Sequence, residues 1–161
     1  MNLTEHLFAE IKVKKLFEDV ELPQVATAGA TAFDLRCYLY DEESNERIKK
    51  IIVQPNQEAK IHTGLALQLP AGTALLLLPR SSMGIKKNLI LENTVGLIDS
   101  DYRGECLLFV RNIGDVHVEV ENGERLVQGL LVPYFKHSFI EVNALNETER
   151  GVCGIGSTGR V

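Results

Sequence analysis

Short strand-like runs, separated by frequent glycine and proline residues, constrain the fold of this chain more than any other feature. Residues 116–120 and 65–69 alternate apolar and polar side chains, as half-buried antiparallel strands do. Residues 73–78 are almost entirely apolar and end at Pro79, which favours a strand covered on both faces, although periodicity alone also allows a helix. Many short strands between turns predict an all-β fold: a sandwich, a jelly roll or a barrel.

The other elements are predicted with the same rules. Further strands are expected at residues 11–16, 106–110, 126–134 and 138–142. A short helix is predicted over residues 81–87, with Ser81 as its N-cap because a serine hydroxyl can accept a free backbone N–H. Residues 41–50 are highly charged, which favours an exposed loop or a short exposed helix. The 161 residues contain no repeat and no linker, so one domain is expected.

Composition excludes several classes of protein. The chain carries 17 Lys and Arg against 22 Asp and Glu, a formal charge of −5, which argues against a diffuse basic surface for nucleic acid. No apolar run is long enough to span a bilayer, so no membrane association is expected. The three cysteines are far apart and include no C-x-x-C pair, which excludes a disulfide framework and a four-cysteine zinc site. This cysteine usage fits a reducing compartment, and a cytoplasmic location is expected.

Two segments combine a guanidinium with hydroxyl groups, as a phosphate-binding site requires. In the first, Arg80 and the two serines after it directly follow the apolar run that ends at Pro79. In the second, Arg150 precedes a glycine-rich stretch that contains Ser157 and Thr158. Each segment also has an ordinary structural explanation, since a capped helix and a flexible terminus have the same composition.

A third polar segment lies between Gly96 and Gly104, spaced as in a hairpin whose backbone closely approaches another group. Asp99 and Asp101 are two residues apart, so they share a face of an extended chain, and Tyr102 adjoins them. A carboxylate beside an aromatic ring can activate a water molecule next to a stacked ring. The alternative for each residue alone is a turn stabilised by aspartates.

Taken in order along the chain, five segments resemble the five motifs of the homotrimeric dUTP pyrophosphatase (dUTPase) family. These segments are ATAGATAFDL (26–35), PRSSMG (79–84), GLIDSDYRG (96–104), GERLVQ (123–128) and RGVCGIGSTG (150–159). Each segment alone is a weak signal, but five of them in the family's order and at plausible spacing are specific.

The resemblance implies a dUTPase-like β jelly roll of the β-clip type that forms a homotrimer with shared active sites. Residues 1–149 would form a single jelly-roll domain, and residues 150–161 a flexible glycine-rich lid. The reaction implied is hydrolysis of dUTP to dUMP and pyrophosphate with Mg²⁺. The ion would be held mainly by the triphosphate, without direct protein ligands, and Asp34 would reach it only through water.

The resemblance also assigns residue roles. Asp99 would be the general base that deprotonates the water attacking the α-phosphorus, and Tyr102 would lie under the deoxyribose, where a 2′-hydroxyl would collide. The remaining substrate-binding residues would be Asn93, Gly96, Leu97, Ile98 and Leu107 at the nucleoside, Arg80, Ser81, Ser82 and Gln128 at the phosphates, and Arg150, Ile155, Ser157 and Thr158 in the lid.

Four positions depart from the family pattern. Ile155 stands where an aromatic residue would stack on uracil, and Cys153 replaces a glycine in the same segment. Ala32 and Ser82 also stand where glycines are usual. An isoleucine can cover a base by apolar contact but has no π face, so a looser lid is expected rather than an inactive enzyme.

Three alternatives remain open at this point. A dCTP deaminase shares the fold, but Phe109 stands at the position of that family's catalytic glutamate and cannot move protons. A nucleotide-sensing regulatory protein would use the same trimer and contact a protein partner through residues 41–50. A trimeric scaffold with an inactive site would leave the polar residues of the five segments unexplained.

Overall fold

The computed structural model describes residues 9–154, in which the chain forms twelve β-strands and one short helix. The strands are β1 (Lys12–Lys15), β2 (Gln24–Val25), β3 (Phe33–Arg36), β4 (Lys50–Val53), β5 (Glu58–Ile61), β6 (Leu65–Gln68), β7 (Thr73–Pro79), β8 (Leu89–Leu91), β9 (Gly96–Ile98), β10 (Leu108–Asn112), β11 (Val118–Glu121) and β12 (Arg125–Pro133). The helix α1 spans Ser81–Lys87. Among the described residues, no helix is long and apolar enough to cross a membrane.

All strand pairs are antiparallel, which confirms the predicted all-β class. The largest sheet has the order β2-β3-β12-β7-β9, and its longest pairing joins β12 to β7, the two apolar runs identified in the sequence. The remaining sheets within residues 9–154 have the orders β5-β10-β8, β1-β6 and β4-β11.

A single apolar core lies between these sheets. Each sheet contributes side chains with almost no exposed surface: Leu35 and Leu75 from the largest sheet, Ile61 from β5, Leu65 from β6 and Val53 from β4. Burying such side chains contributes roughly 1.5–3 kcal/mol each. The core therefore fixes the sheets relative to one another, and with them the polar loops at their edges.

Two local predictions are wrong. The strand expected at residues 138–142 is absent: residues 135–148, here called the C-terminal arm, have no regular secondary structure and no strand partner within the described chain, and Phe139 is 93% exposed. An alternating pattern forms a strand only where another strand edge is available. The N-cap of α1 is Arg80 rather than Ser81, and it makes no side-chain capping hydrogen bond.

The charged segment 41–50 forms an exposed loop, so of its two predicted forms the helix is not observed. The Asp41 Oδ1 atom accepts the backbone N–H groups of Glu43 at 3.1 Å and Ser44 at 2.8 Å, which closes the turn. At the end of the turn, Arg47 donates to Asp19 at 2.6 Å. The loop is therefore fixed to the body of the protein.

Gly64 occupies a turn between β5 and β6 that admits no other residue without strain. Its φ angle is +66°, and a Cβ atom there would lie 2.5 Å from the Cγ2 atom of Val20. Gly72 has a similar φ of +81°, but nothing lies within 4 Å of its Cβ position. The two glycines share a backbone requirement and differ in the space around them.

Gly64→Ala is expected to lower the free energy of unfolding by about 2–4 kcal/mol, because it adds steric overlap to left-handed backbone strain. Gly72→Ala, the matched control, is expected to lose only about 1–2 kcal/mol from the backbone. Urea unfolding of both variants measures the difference. Equal losses would contradict this account of Gly64.

Candidate active site

Asp34 holds two arginines in place at one end of the largest sheet. Its Oδ1 atom lies 3.0 Å from Nε of Arg80, and its Oδ2 atom lies 3.0 Å from Nη1 of Arg125. The Asp34 side chain is only 13% exposed, whereas both guanidinium groups reach solvent. Two guanidinium groups and one carboxylate leave one net positive charge, which suits the binding of an anion such as a phosphate.

Strand register explains why these groups meet. Gln128 of β12 lies opposite Asp34 of β3 on one side and opposite Leu78 of β7 on the other. Arg80 follows the end of β7, and its backbone N–H donates to the carbonyl of Leu126 at 2.9 Å. The structure thus brings together three of the predicted site residues, Asp34, Arg80 and Gln128.

Ser81 and Ser82 form the first turn of α1, immediately after Arg80. The Ser81 residue is exposed and Ser82 is partly exposed, so both lie at the surface beside the arginine. Arg125 is a member of this cluster that the sequence analysis did not name. Its only sequence signal was its place in the GERLVQ segment, because the pairing of β12 with β3 is a long-range contact.

The segment from residue 96 to 104 is not a hairpin, which corrects the prediction. β9 pairs with β7, with Gly96 opposite Leu77, while β8 pairs with β10 in a different sheet. A Cβ atom at Gly96 would lie 2.9 Å from Cβ of Leu77, so glycine permits the close approach of β9 to β7. β9 is an edge strand within the described residues, and its outer backbone edge at residues 96–98 has no strand partner there.

Tyr102 is held by the loop that follows β9. Its backbone N–H donates to the carbonyl of Asp99 at 3.1 Å, and its hydroxyl donates to the carbonyl of Glu105 at 3.1 Å. A Cβ atom at Gly104 would overlap the hydroxyl end of the ring, so the ring lies directly on the glycine. Tyr102 therefore has a fixed orientation and a partly exposed face.

Asp99 is exposed beside a cleft of about 790 Å³, which is lined in part by Leu97 and His137. Among residues 9–154, no hydrogen bond or ion pair engages its carboxylate. The chain also leaves Asn93 exposed just before β9 and Leu107 partly buried just before β10. An accessible, unengaged carboxylate next to a fixed ring is able to bind a water molecule.

One chain does not bring these two groups of residues together. Ile98 pairs with Leu75 near the start of β7, whereas Arg80 follows the end of that strand. At a rise of about 3.3 Å per residue, the distance along β7 from Leu75 to Arg80 is about 16 Å. The cluster of Asp34, Arg80 and Arg125 and the loop that contains Asp99 therefore lie toward opposite ends of β7.

Of the predicted lid-site residues, only Arg150 lies within the described part of the chain. Arg150 is exposed and donates from Nε to the carbonyl of Cys153 at 3.3 Å. Ile155, Ser157 and Thr158 lie outside the described residues, as does most of the predicted lid. The division into a domain and a lid therefore stays a prediction.

The described residues contain no group of three His, Cys, Asp or Glu side chains that could hold a metal ion. Both oxygens of Asp34 already face arginines, which leaves no free carboxylate for direct coordination in this cluster. Burial raises the pKa of the Cys37 and Cys106 thiols to about 12, so neither supplies a thiolate at neutral pH.

Comparison with known proteins gives consistent matches. The family model of dUTPase matches residues 18–159. The deoxyuridine 5′-triphosphate nucleotidohydrolase of Hydrogenobaculum sp. is 38% identical over 150 residues, which cover 93% of this chain and 98% of that protein.

Two solved structures show the same fold at low sequence identity. A dUTPase variant of Staphylococcus bacteriophage 80alpha with dUpNHpp is 22% identical, with a TM-score of 0.80 over 93% of this chain and 98% of that one. A dUTPase variant of phage phi11 of S. aureus, described as showing coordination of a structural Mg(II) ion, is 20% identical, with a TM-score of 0.71 over 84% and 97%. The likeness confirms the predicted β jelly-roll fold.

Asp34→Asn is expected to lower the free energy of unfolding by about 1–3 kcal/mol, because two neighbouring guanidinium groups lose their shared carboxylate. Glu119→Gln, which removes an exposed ion pair with Lys50, serves as a control and is expected to lose less than about 1 kcal/mol. Urea unfolding at neutral pH compares the two. A loss at Asp34 no larger than that of the control would contradict its role as the centre of the cluster.

Proposed function

The chain belongs to the dUTPase family, and from this we propose that it hydrolyses dUTP to dUMP and pyrophosphate in homotrimers whose active sites are shared between chains. The observation that supports this most directly is the separation of Arg80 from the Asp99 loop along β7. This separation favours an arrangement in which a nucleotide that uses both groups receives them from different copies of the chain. The relatives' names supply the substrate, and the separation supports the sharing.

Water attack on the α-phosphorus is the chemical step. Asp99 holds the water and takes its proton, an oxygen–phosphorus bond forms, and the bond from the α-phosphorus to the bridging oxygen breaks to release pyrophosphate. Attack on a triphosphate depends on positioning and charge neutralisation more than on covalent help. The exposed, unengaged carboxylate of Asp99 is suited to this role.

The phosphates are bound by the cluster around Asp34. Arg80 supplies the charge with Arg125 beside it, and Ser81, Ser82 and Gln128 supply hydrogen-bonding groups next to them. Asp34 fixes both guanidinium groups before the substrate arrives, which reduces the ordering cost of binding. The lid residues Arg150, Ile155, Ser157 and Thr158 would close over the nucleotide from a third chain and expel water.

The nucleoside is recognised by the β9 edge and by Tyr102. The outer backbone edge of residues 96–98, with Asn93 beside it, offers fixed donors and acceptors to the uracil, which reject the amino group of cytosine. The Tyr102 ring and Leu107 contact the deoxyribose, and a 2′-hydroxyl would collide with the ring. The ring's fixed position on Gly104 supports this exclusion.

When bound, Mg²⁺ neutralises phosphate charge and fixes the geometry of the triphosphate. The ion would be held mainly by the substrate, and Asp34 would reach it only through water. The double pairing of Asp34 with arginines supports this proposal, because neither of its oxygens is free to coordinate the ion directly.

The C-terminal arm supports the trimer. It carries large apolar side chains that are more than half exposed: Phe135, Phe139, Ile140, Val142 and Leu145. A soluble single chain rarely leaves such a series exposed, because each side chain loses the free energy of burial. A second copy of the chain supplies the missing surface.

Pyrophosphate release with dUTP, dTTP, dCTP and UTP in the presence of Mg²⁺ tests the proposed reaction. Turnover of dUTP is expected to exceed that of the other three nucleotides by a large factor, and Asp99→Asn is expected to lower kcat about 10²- to 10⁴-fold because the general base is lost. Asp115→Asn, at an exposed turn elsewhere, is the control and should retain normal turnover. Intact dUTP, ammonia release from dCTP, or full activity of Asp99→Asn would overturn this function.

A further inference from the structure

His62 lies between two carboxylates at the base of the charged loop. Its Nδ1 atom is 2.8 Å from Oε2 of Glu105, and its Nε2 atom is 2.8 Å from Oε1 of Glu42. Each ring nitrogen therefore has a carboxylate oxygen within hydrogen-bond distance, so the imidazole bridges the two glutamates. Tyr40 packs against the ring at 4.6 Å between centroids, and Lys60 forms an ion pair with Glu42.

The side chain of Glu105 is also hydrogen-bonded to the turn that precedes β6. Its Oε1 atom accepts the backbone N–H groups of Thr63 at 3.1 Å and Gly64 at 2.7 Å. The side chain is only 14% exposed, and every oxygen has a partner. Because Glu105 directly follows Gly104, these contacts fix the end of the Tyr102 loop.

The backbone carbonyl of Glu105 is the acceptor for the Tyr102 hydroxyl, at 3.1 Å. A continuous chain of contacts therefore runs from Glu42 in the exposed loop, through His62 and Glu105, to the tyrosine ring. The Glu42 side chain is 54% exposed, so this end of the series of contacts is open to solvent and to other molecules.

We propose that Glu105 is a positioning residue for Tyr102, and that Glu42 and His62 couple the charged loop to sugar discrimination at the active site. This extends the function proposed above, since it assumes that the Tyr102 ring excludes the 2′-hydroxyl.

The position of the Tyr102 ring matters because the ring would exclude the 2′-hydroxyl by steric overlap. If the Glu105 carbonyl turns, the Tyr102 hydroxyl loses its acceptor and the ring leaves the place where it blocks a ribose. Small displacements of a positioning group can change rates by up to about 10²-fold. The expected consequence is a lower ratio of kcat/KM for dUTP to kcat/KM for UTP, rather than an equal loss with both nucleotides.

Two substitutions at Glu105 separate positioning from general stability. Glu105→Ala removes all the side-chain contacts and is expected to lower the dUTP-to-UTP ratio about tenfold or more. Glu105→Gln keeps an oxygen for the amides of Thr63 and Gly64 and should restore most of the selectivity. An unchanged ratio in Glu105→Ala, with both activities reduced alike, would mean that Glu105 is only structural and would overturn the proposal.

Substitutions of two adjacent glutamates test whether the charged loop is coupled to Tyr102. Glu42→Gln is expected to lower the ratio about threefold, whereas the neighbouring Glu43→Gln, whose side chain makes no hydrogen bond or ion pair among the described residues, should leave it unchanged. In a Tyr102→Phe background, which lacks the hydroxyl, Glu42→Gln should have no further effect. Equal ratios for the two glutamine variants, or the same Glu42 effect in both backgrounds, would overturn the coupling.

The affinities of dUMP and UMP, measured by calorimetry on the same variants, keep this test separate from that of the proposed reaction. If the unsubstituted protein failed to hydrolyse dUTP, the proposed reaction would fall while the affinity ratio still reported on Tyr102. A ratio of dUMP to UMP affinity that falls in Glu105→Ala and recovers in Glu105→Gln supports the positioning role. A ratio that stays constant overturns it.

Discussion

The antiparallel pairing of β12 with β7 is the contact on which the rest of the structure depends. It spans Val127 to Pro133 on one strand and Pro79 to Thr73 on the other, and it sits at the centre of the largest sheet. The neighbours of this pair then determine where the polar groups lie. β3 adds Asp34 on the β12 side, beside the arginine that follows β7, and β9 carries its loop toward the opposite end of β7. One pairing thus positions the arginine cluster around Asp34 and the Asp99 loop, which a single chain keeps apart.

The charged groups near the two ends of β7 differ in a way that suits their proposed roles. At one end, Asp34 orients two guanidinium groups and leaves a net positive charge for an anion. At the other end, Asp99 has no described partner and faces an open cleft, so its carboxylate is available to a water molecule. Under the proposed function, joining such ends from different copies places a free carboxylate near a phosphate chain whose charge the arginine cluster partly neutralises. In the proposed shared site, this separation within one chain is what makes assembly necessary.

Local patterns predicted the helix and six of the twelve strands, but they missed the short strands β2, β3, β4, β5, β8 and β9. The apolar run at residues 73–78 and the alternation at 65–69 became β7 and β6, and the helix was predicted with the correct bounds. The hairpin at Gly96 was wrong because that glycine packs on Leu77, far away in sequence, and no local pattern reports such a contact. The family motifs identified Asp34 and Gln128, but not Arg125, whose place beside Asp34 follows from strand register.

Mixing two inactive variants tests the central claim, that each active site takes Arg80 and Asp99 from different chains. Arg80→Ala and Asp99→Asn would be coexpressed in equal amounts, and dUTP hydrolysis by the mixed trimers would be compared with that of each variant alone. If the sites are shared, random assembly gives about one quarter of the sites both intact residues, so about a quarter of the normal activity should return. If each site were built within a single chain, no site would hold both residues, and the absence of any recovery in verified mixed trimers would contradict the account.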